Sequence, residues 1–301
     1  MSDLRFDGRV AIVTGAGHGL GRSYALELTA RGAKVVVNDV RDTGEDARTA
    51  AAPPMAADDV TAEIRNRGGT ALADRGDIST EAGAEALVEA ALDAFGRVDI
   101  VVNNAGILRD KSFKNISVSE WDAVLDVHLR GTFLVSRAAF GHLREHGYGR
   151  IVNTTSRSGL FGNFGQSNYA AAEMGVVGLT KTLAIEGTRY DITANAVAPI
   201  AYTRMTSDLL PPGTEEKLAP ERVTPAVVWL AHEDCETSGE IYTVGGGRVA
   251  RVFVAEGPGA VFRDAAPEDI RDSWPDINAE RPYVIPRSLA EHAQEHFSRL
   301  F

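Results

Sequence analysis

"RVAIVTGAGHGLGRS" (residues 9–23) decides the fold. Residues 9–14 are a continuous apolar run, the pattern of a strand covered on both faces. Gly15, Gly19 and Gly21 follow in a G-x3-G-x-G spacing, and a helical pattern takes over across 20–31. Glycines placed there let the backbone turn tightly and approach a pyrophosphate. The helix N-terminus then presents free N–H groups and the positive end of its dipole to the anion. Glycines alone also fit a plain tight turn. The next stretch narrows the choice: "AKVVVND" (33–39) reads as a second strand ending in Asp39, where a carboxylate can accept both hydroxyls of an adenine ribose. It would repel a 2′-phosphate, so NAD(H) is favoured over NADP(H), a preference that nearby Arg41 weakens. His18, Arg22 and Arg41 read as surface groups, with Arg22 open to either role. By position in the turn, His18 and Leu20 are still counted with the cofactor-binding residues.

Working outward, the same rhythm repeats. Strand patterns at 70–77, 98–104, 149–155, 191–199 and 239–244 alternate with helical patterns at 58–67, 81–95, 119–146 and 167–189. This alternation predicts an α/β fold: a Rossmann-type, doubly wound, seven-stranded parallel sheet with helices on both faces. An NAD-binding domain is expected over 1–249 and a C-terminal extension over 250–301, packed on the domain or on a partner subunit. Residues 41–59, rich in Ala and Pro, read as an exposed loop. Residues 200–220 follow the sixth strand, at the carboxyl edge where a substrate lid belongs.

Composition excludes some classes of function. The net charge of −11 and pI near 5.2 argue against nucleic acid or an anionic membrane as partner. The single cysteine, Cys235, allows no internal disulfide and reads as a small buried hydrophobe. A reducing, cytoplasmic location is therefore expected. No apolar run approaches the roughly 18–20 residues needed to span a bilayer. The first ten residues carry no signal-peptide core, and no metal site is expected.

Five features then converge: the glycine turn, Asp77 in "GDIS", "NNAG" (103–106), Ser156 with Tyr169 thirteen residues later, and "NAVAP" (195–199). With them the chain resembles the short-chain dehydrogenase/reductase family over about residues 7–247. "NNAGILRDKSF", "HLRGTF", "GLFGNFGQSNY" and "APIAYTRMT" are similar to its (3R)-hydroxyacyl-CoA dehydrogenase branch, a likeness reaching roughly residue 275. The resemblance implies Tyr169 as acid/base and Ser156 as the hydroxyl that holds the substrate oxygen against it. His128 stands where the wider family usually has Asn in a water relay. Asp77 and Ile78 would contact adenine. Asn103, Asn104, Ala105 and Gly106 would border the adenosine ribose, and Pro199, Ile200 and Thr203 the nicotinamide. The residues themselves leave alternatives. His128 could be a satisfied helix histidine, Asn103 and Asn104 could be structural, and Phe161 and Phe164 could line a pocket or fill core. Arg109 and Arg130 could meet an acyl-CoA phosphate or form surface ion pairs.

One departure stands out. The family pattern is Tyr-x3-Lys; this chain has Tyr169-x3-Glu173. An ammonium there would favour the phenolate, and a carboxylate opposes it. Two unit charges about 5 Å apart at an effective dielectric of about 20 interact by roughly 3 kcal/mol. Glu173 could still accept hydrogen bonds from ribose hydroxyls. Two functions follow: an NAD(H)-dependent oxidoreductase for a hydrophobic secondary alcohol or ketone, steroid-like or acyl-CoA, or a non-catalytic NAD-binding subunit paired with an active homologue. Leu160, Phe161, Phe164, Leu209 and Leu210 suggest the apolar substrate. The resemblance implies a homodimer or homotetramer through 119–146 and 167–189. Glu173→Lys is expected to raise 3-hydroxyacyl-CoA oxidation by at least about tenfold with NAD(H) affinity little changed. A wild type that already matches the variant in steady-state assays would sink the charge argument.

Overall fold

Both sides of the central sheet are buried, which is why its strands are unbroken apolar runs. In β1 (Val10–Val13), Val10 and Ile12 enter one core while Ala11 and Val13 enter the other. The computed structural model describes residues 3–40, 56–208 and 210–300, so Arg41, most of the 41–59 loop and Leu209 lie outside the described residues. The other parallel strands are β2 (Lys34–Asn38), β3 (Thr70–Asp74), β4 (Ile100–Asn103), β5 (Gly149–Thr154), β6 (Ile192–Pro199) and β7 (Ile241–Gly245). Their order is β3-β2-β1-β4-β5-β6-β7, the doubly wound arrangement. Helices α1 (Gly19–Ala30), α2 (Ala56–Asn66) and α8 (Thr224–Ala231) contribute to one core. Helices α3 (Glu81–Phe95), α5 (Gly131–His146) and α7 (Ser167–Gly187) contribute to the other.

The structure adds to the expected pattern in four places. An eighth strand, β8 (Arg248–Val252), lies next to β7 at the sheet edge. Gly246 and Gly247, at φ +58° and +82°, make the tight connection, a backbone that favours a two-residue hairpin. "RVARV" carries no aliphatic run because an exposed edge strand needs none. The helix expected over 119–146 is interrupted. It consists of α4 (Val118–Leu125), a π-helical turn (Asp126–Arg130) and α5. One wider turn leaves no mark on hydrophobic spacing, but it re-aims the residues it contains. A short helix, α6 (Arg157–Phe161), follows β5. Residues 56 and 57, expected in a loop, already belong to the first turn of α2.

The chain divides into two compact units, Met1–Arg251 and Val252–Phe301. The second holds α9 (Pro267–Asp272), α10 (Trp274–Ile277) and α11 (Leu289–Leu300). Within it, Glu256 and Val284 exchange backbone hydrogen bonds of 3.0 and 2.9 Å, and Phe253 stacks on Tyr283.

Polar side chains inside the first unit fix the elements that matter most. Asn103 donates to Asn153 Oδ1 (2.8 Å) and to Ser136 Oγ (3.0 Å), and Asn153 in turn donates to Thr180 Oγ1 (2.9 Å). This buried chain ties β4 and β5 to α5 and α7, although the Asn103 Oδ1 atom itself has no partner among the described residues. At the other end of the site, a Cβ on Gly21 would lie 2.4 Å from Gly15 O and 2.6 Å from Asn104 Nδ2. Gly21→Ala should therefore cost about 1–3 kcal/mol through overpacking. Urea unfolding should show a lower midpoint with an unchanged slope, and an unmoved midpoint would refute this packing reason.

Candidate active site

The sheet reverses its winding between β1 and β4, and ligands of doubly wound sheets bind at the carboxyl ends of such strands. A cavity of about 620 Å³ lies there. Its wall at β1 is made by the glycine turn. Gly15 and Gly19 have φ +61° and +49°, and a Cβ on Gly15 would meet Ala105 Cα at 2.7 Å. Thr14 Oγ1 accepts hydrogen bonds from the N–H groups of Asn104 (3.0 Å) and Ala105 (3.1 Å). Asn104 Nδ2 donates to Thr14 O and Gly15 O. Asp39 Oδ2 accepts from the Gly17 N–H at 2.9 Å, which fixes the carboxylate beside the turn. Burial pushes the Asp39 carboxyl up, against the Gly17 hydrogen bond and the charges of His18 and Arg204. Burial also lowers His18, helped by the Arg204 and Arg22 cations and opposed by Asp39.

Most of the residues singled out in the sequence line this one cavity: Gly15, His18, Gly19, Leu20, Asp39, Asp77, Ile78, Asn104, Ala105, Gly106, His128, Ser156, Tyr169, Glu173, Pro199, Ile200 and Thr203. Two do not. Gly21 packs against the back of the turn, and Asn103 is spent on the buried network under the sheet. Phe161 and Phe164 are strongly exposed and away from the cavity lining, and Leu160 is also absent from it. Leu210 lines it. Arg130 pairs with Asp126 at 3.6 Å, and Arg109 donates to Leu108 O, while Arg22 pairs with Glu63. Sequence reasoning missed Thr14, Gly17, Arg157, Arg204 and Met205. The first two flank motif glycines, a signal that could have found them. Arg157 opens the short helix α6, and Arg204 and Met205 come from the loop after β6, whose aim no spacing encodes.

At the far end, α7 presents Tyr169 and Glu173 one turn apart on the same face. Thr155 Oγ1 donates to Glu173 O at 2.8 Å, and Gly159 lets α6 approach, since a Cβ there would meet Glu173 Cβ at 2.7 Å. Asn168 anchors the helix start by donating to Arg109 O and Glu120 O. Ser156 caps α6 by accepting from the Ser158 N–H at 3.1 Å, which leaves its own O–H to donate.

The sequence puts a carboxylate at position 173 where the family has a cation, and the structure gives that carboxylate a partner. Glu173, only 2% exposed, pairs through Oε1 with Nδ1 of His128 at 2.6 Å, and His128 is only 7% exposed. His128 sits on the π-helical turn, and its ring meets the Tyr169 ring edge-to-face at 5.0 Å between centroids. Burial pushes the imidazolium down, but the hydrogen bond and charge of Glu173, with the Ile107 backbone, outweigh it and leave the pKa raised. Burial and then the Glu173 charge hold the Tyr169 phenol well above its ordinary value, with Asp110 adding to the rise and the Ser156 hydroxyl opposing it. Glu173 Oε2 is buried with no hydrogen-bond partner among the described residues.

Comparison with known proteins shows the family. The pattern of the short chain dehydrogenase family matches residues 9–211. The chain is 50% identical over 295 residues to mouse peroxisomal multifunctional enzyme type 2, covering 95% of this chain and 39% of that one. It thus spans about two fifths of that relative's length. It is 42% identical over 260 residues to a Mycobacterium tuberculosis hydroxyacyl-CoA dehydrogenase, covering 81% and 80% of the two chains. The solved full-length Drosophila melanogaster peroxisomal multifunctional enzyme type 2 superposes with a TM-score of 0.83 at 38% identity, over 99% of this chain and 50% of that one.

The raised His128 value has a pH signature. A group whose folded pKa exceeds its unfolded one stabilises fully below the unfolded value, near 6.5 here, and that contribution fades as the pH rises through the folded value. Denaturation from about pH 6 to about pH 9 should show such a loss in the wild type and a smaller one in Glu173→Gln. Equal pH slopes for the two proteins would contradict the pairing.

Proposed function

The chain belongs to the short-chain dehydrogenase family, and from that premise we propose that it is an NAD(H)-dependent oxidoreductase interconverting a secondary alcohol and a ketone, with a 3-hydroxyacyl-CoA as substrate class. The observation that carries this is convergence. The glycine turn, Asp39 and Ser156, from the ends of β1, β2 and β5, and Tyr169 from α7 open into one cavity. The hydroxyacyl-CoA activity named for the mycobacterial relative supports the substrate class. Arg157 and Arg204 at the lining supply cations for a phosphorylated acyl carrier.

The residues present fit a nicotinamide dinucleotide. The strained glycines form a cradle that a Cβ would fill, and the orphaned Glu173 Oε2 is an acceptor at the cavity wall. Gly15 and Gly19 with the N-terminus of α1 would hold the pyrophosphate. Asp39 would accept the adenine-ribose hydroxyls and disfavour a 2′-phosphate. Asp77 and Ile78 would border the adenine, with Asn104, Ala105 and Gly106 beside the ribose. Pro199, Ile200 and Thr203 would flank the nicotinamide, and Glu173 Oε2 would accept from its ribose. When bound, that group supplies or receives the hydride. Tyr169 moves the proton at the substrate oxygen, and Ser156 donates its O–H to the same oxygen. The raised phenol makes Tyr169 a proton donor, so we take ketone reduction as the favoured direction. Residues 200–220 serve as the lid over the substrate. Exposed Phe133, Met174 and Ile185 on α5 and α7 support a homodimer through these helices. Among the described residues no helix is long and apolar enough to cross a membrane, and the single cysteine supports the cytoplasm as location.

A panel of 3-ketoacyl-CoA esters with NADH and NADPH tests the reading. Turnover with NADH is expected. Tight NADH binding with no turnover on any ester would favour a non-catalytic NAD-binding subunit instead. By calorimetry NADH should bind more tightly than NADPH, and Asp39→Ser should narrow that ratio by about tenfold, or about 1.4 kcal/mol. Equal or tighter NADPH binding by the wild type would reject the Asp39 argument.

A further inference from the structure

His128 and Glu173 are packed as a unit, and every contact of the imidazole is accounted for. Nδ1 faces Glu173 Oε1 at 2.6 Å. Nε2 lies 2.8 Å from the Ile107 N–H and 2.9 Å from the Ile107 carbonyl. A neutral ring can therefore accept from that peptide, and an imidazolium can donate to it, so Nε2 keeps a partner in both protonation states. A Cβ on Gly106 would sit 2.4 Å from His128 Cε1, so the loop after β4 closes the ring's remaining side. Tyr169 stands against the ring edge. A buried imidazole that is satisfied with and without its second proton is built to titrate in place. The carboxylate beside it is built to keep that proton.

We propose that His128 and Glu173 act as one acid–base unit that sets the charge beside Tyr169. This deepens the reductase reading above and rests on it. With the second proton on the ring the pair is net neutral, and Tyr169 can release its phenolic proton. The Tyr169 O–H bond breaks, the ketone oxygen gains that proton, the ketone carbon gains the hydride from the reduced nicotinamide, and a phenolate remains. Without the ring proton, Glu173 is an uncompensated carboxylate one helical turn from that phenolate and opposes its formation. The pair therefore takes the place of a cation at the motif position, and both members are positioning residues acting through Tyr169.

Few other charges face the unit. Asp110, in the loop after β4, acts on Tyr169, and its Oδ2 accepts from Gln166. On the π-helical turn, Asp126 and Arg130 pair with each other at the exposed side. Lys111 and Glu120, next to the start of α7, also pair with each other. From the segment after β5 the Ser156 hydroxyl bonds Tyr169, and the Arg157 cation, at the start of α6, lines the same cavity. The raised His128 value accords with the geometry.

The test has two arms, with folding of each variant checked by circular dichroism. In the first, NMR follows the His128 ring in the protein without cofactor. The ring should titrate above 6.5 in the wild type and fall by about one pH unit or more in Glu173→Gln. Difference absorbance against Tyr169→Phe should show the Tyr169 phenol ionising at lower pH in Glu173→Gln. In the second arm, ketoacyl-CoA reduction should drop about tenfold as the pH rises through the His128 ionisation, and Glu173→Gln should lose that drop. His128→Asn should lower kcat at neutral pH by about tenfold, and the double variant His128→Asn/Glu173→Gln should recover most of it. A merely structural pair would leave the pH profile of Glu173→Gln like that of the wild type, and that result overturns the proposal. A wild type inactive on every ester defeats the proposed reaction. The spectroscopic arm then still decides the charge unit: an unshifted His128 refutes it.

Discussion

Close approach of backbone between β1 and β4 is the constraint on which the site depends. At that point the sheet reverses its winding, and two loops must diverge from adjacent strand ends without colliding. Thr14 and Asn104 tie those loops together through four hydrogen bonds, and Gly15 and Gly21 leave no side chain in the space between them. Everything that lines the cavity is placed relative to this junction. Asp39 is bound to the turn through Gly17, the loop carrying Gly106 and Ile107 leaves from β4, and that loop in turn receives the imidazole of His128.

The second governing feature is electrostatic. A carboxylate buried next to a tyrosine would normally be a liability, because desolvation and repulsion act together against ionisation of the phenol. Here the liability is transferred to a partner. The imidazole shares burial with the carboxylate and pairs with its Oε1, so removing either alone leaves a further unpaired buried group. The polar chain from Asn103 through Asn153 to Thr180 holds α7 at the depth where this pairing occurs. The π-helical turn brings His128 to it.

Much of this was legible in the residues. Alternating apolar runs and helical spacing mark the seven parallel strands, because strands covered on both faces must be apolar throughout. The glycine spacing, Asp39 at the end of β2, and Ser156 before Tyr169 mark the cavity walls, since each sits at a strand end or a helix start that local pattern identifies. What escaped was of another kind. β8 is an exposed edge strand and carries no apolar signature. The π-helical turn adds no change in hydrophobic period. Arg157 reaches the cavity from the start of α6, Arg204 and Met205 reach it from the loop after β6, and Phe161 and Phe164 are exposed and absent from its lining.

Position 173 shows where the division falls. By itself the sequence determined the doubly wound α/β fold, the nucleotide turn, the placement of Tyr169 near Ser156, and the presence of a carboxylate one turn beyond the tyrosine. The fold, the turn and the carboxylate follow from spacing along one strand, one turn or one helix, and the association of Ser156 with Tyr169 is what the family resemblance implies. Only the tertiary structure decided that the carboxylate has a partner. His128 and Glu173 are 45 residues apart, on different helical segments. Their meeting depends on the packing of α7 against the π-helical turn, and the charge that Tyr169 experiences is set by that packing and by burial.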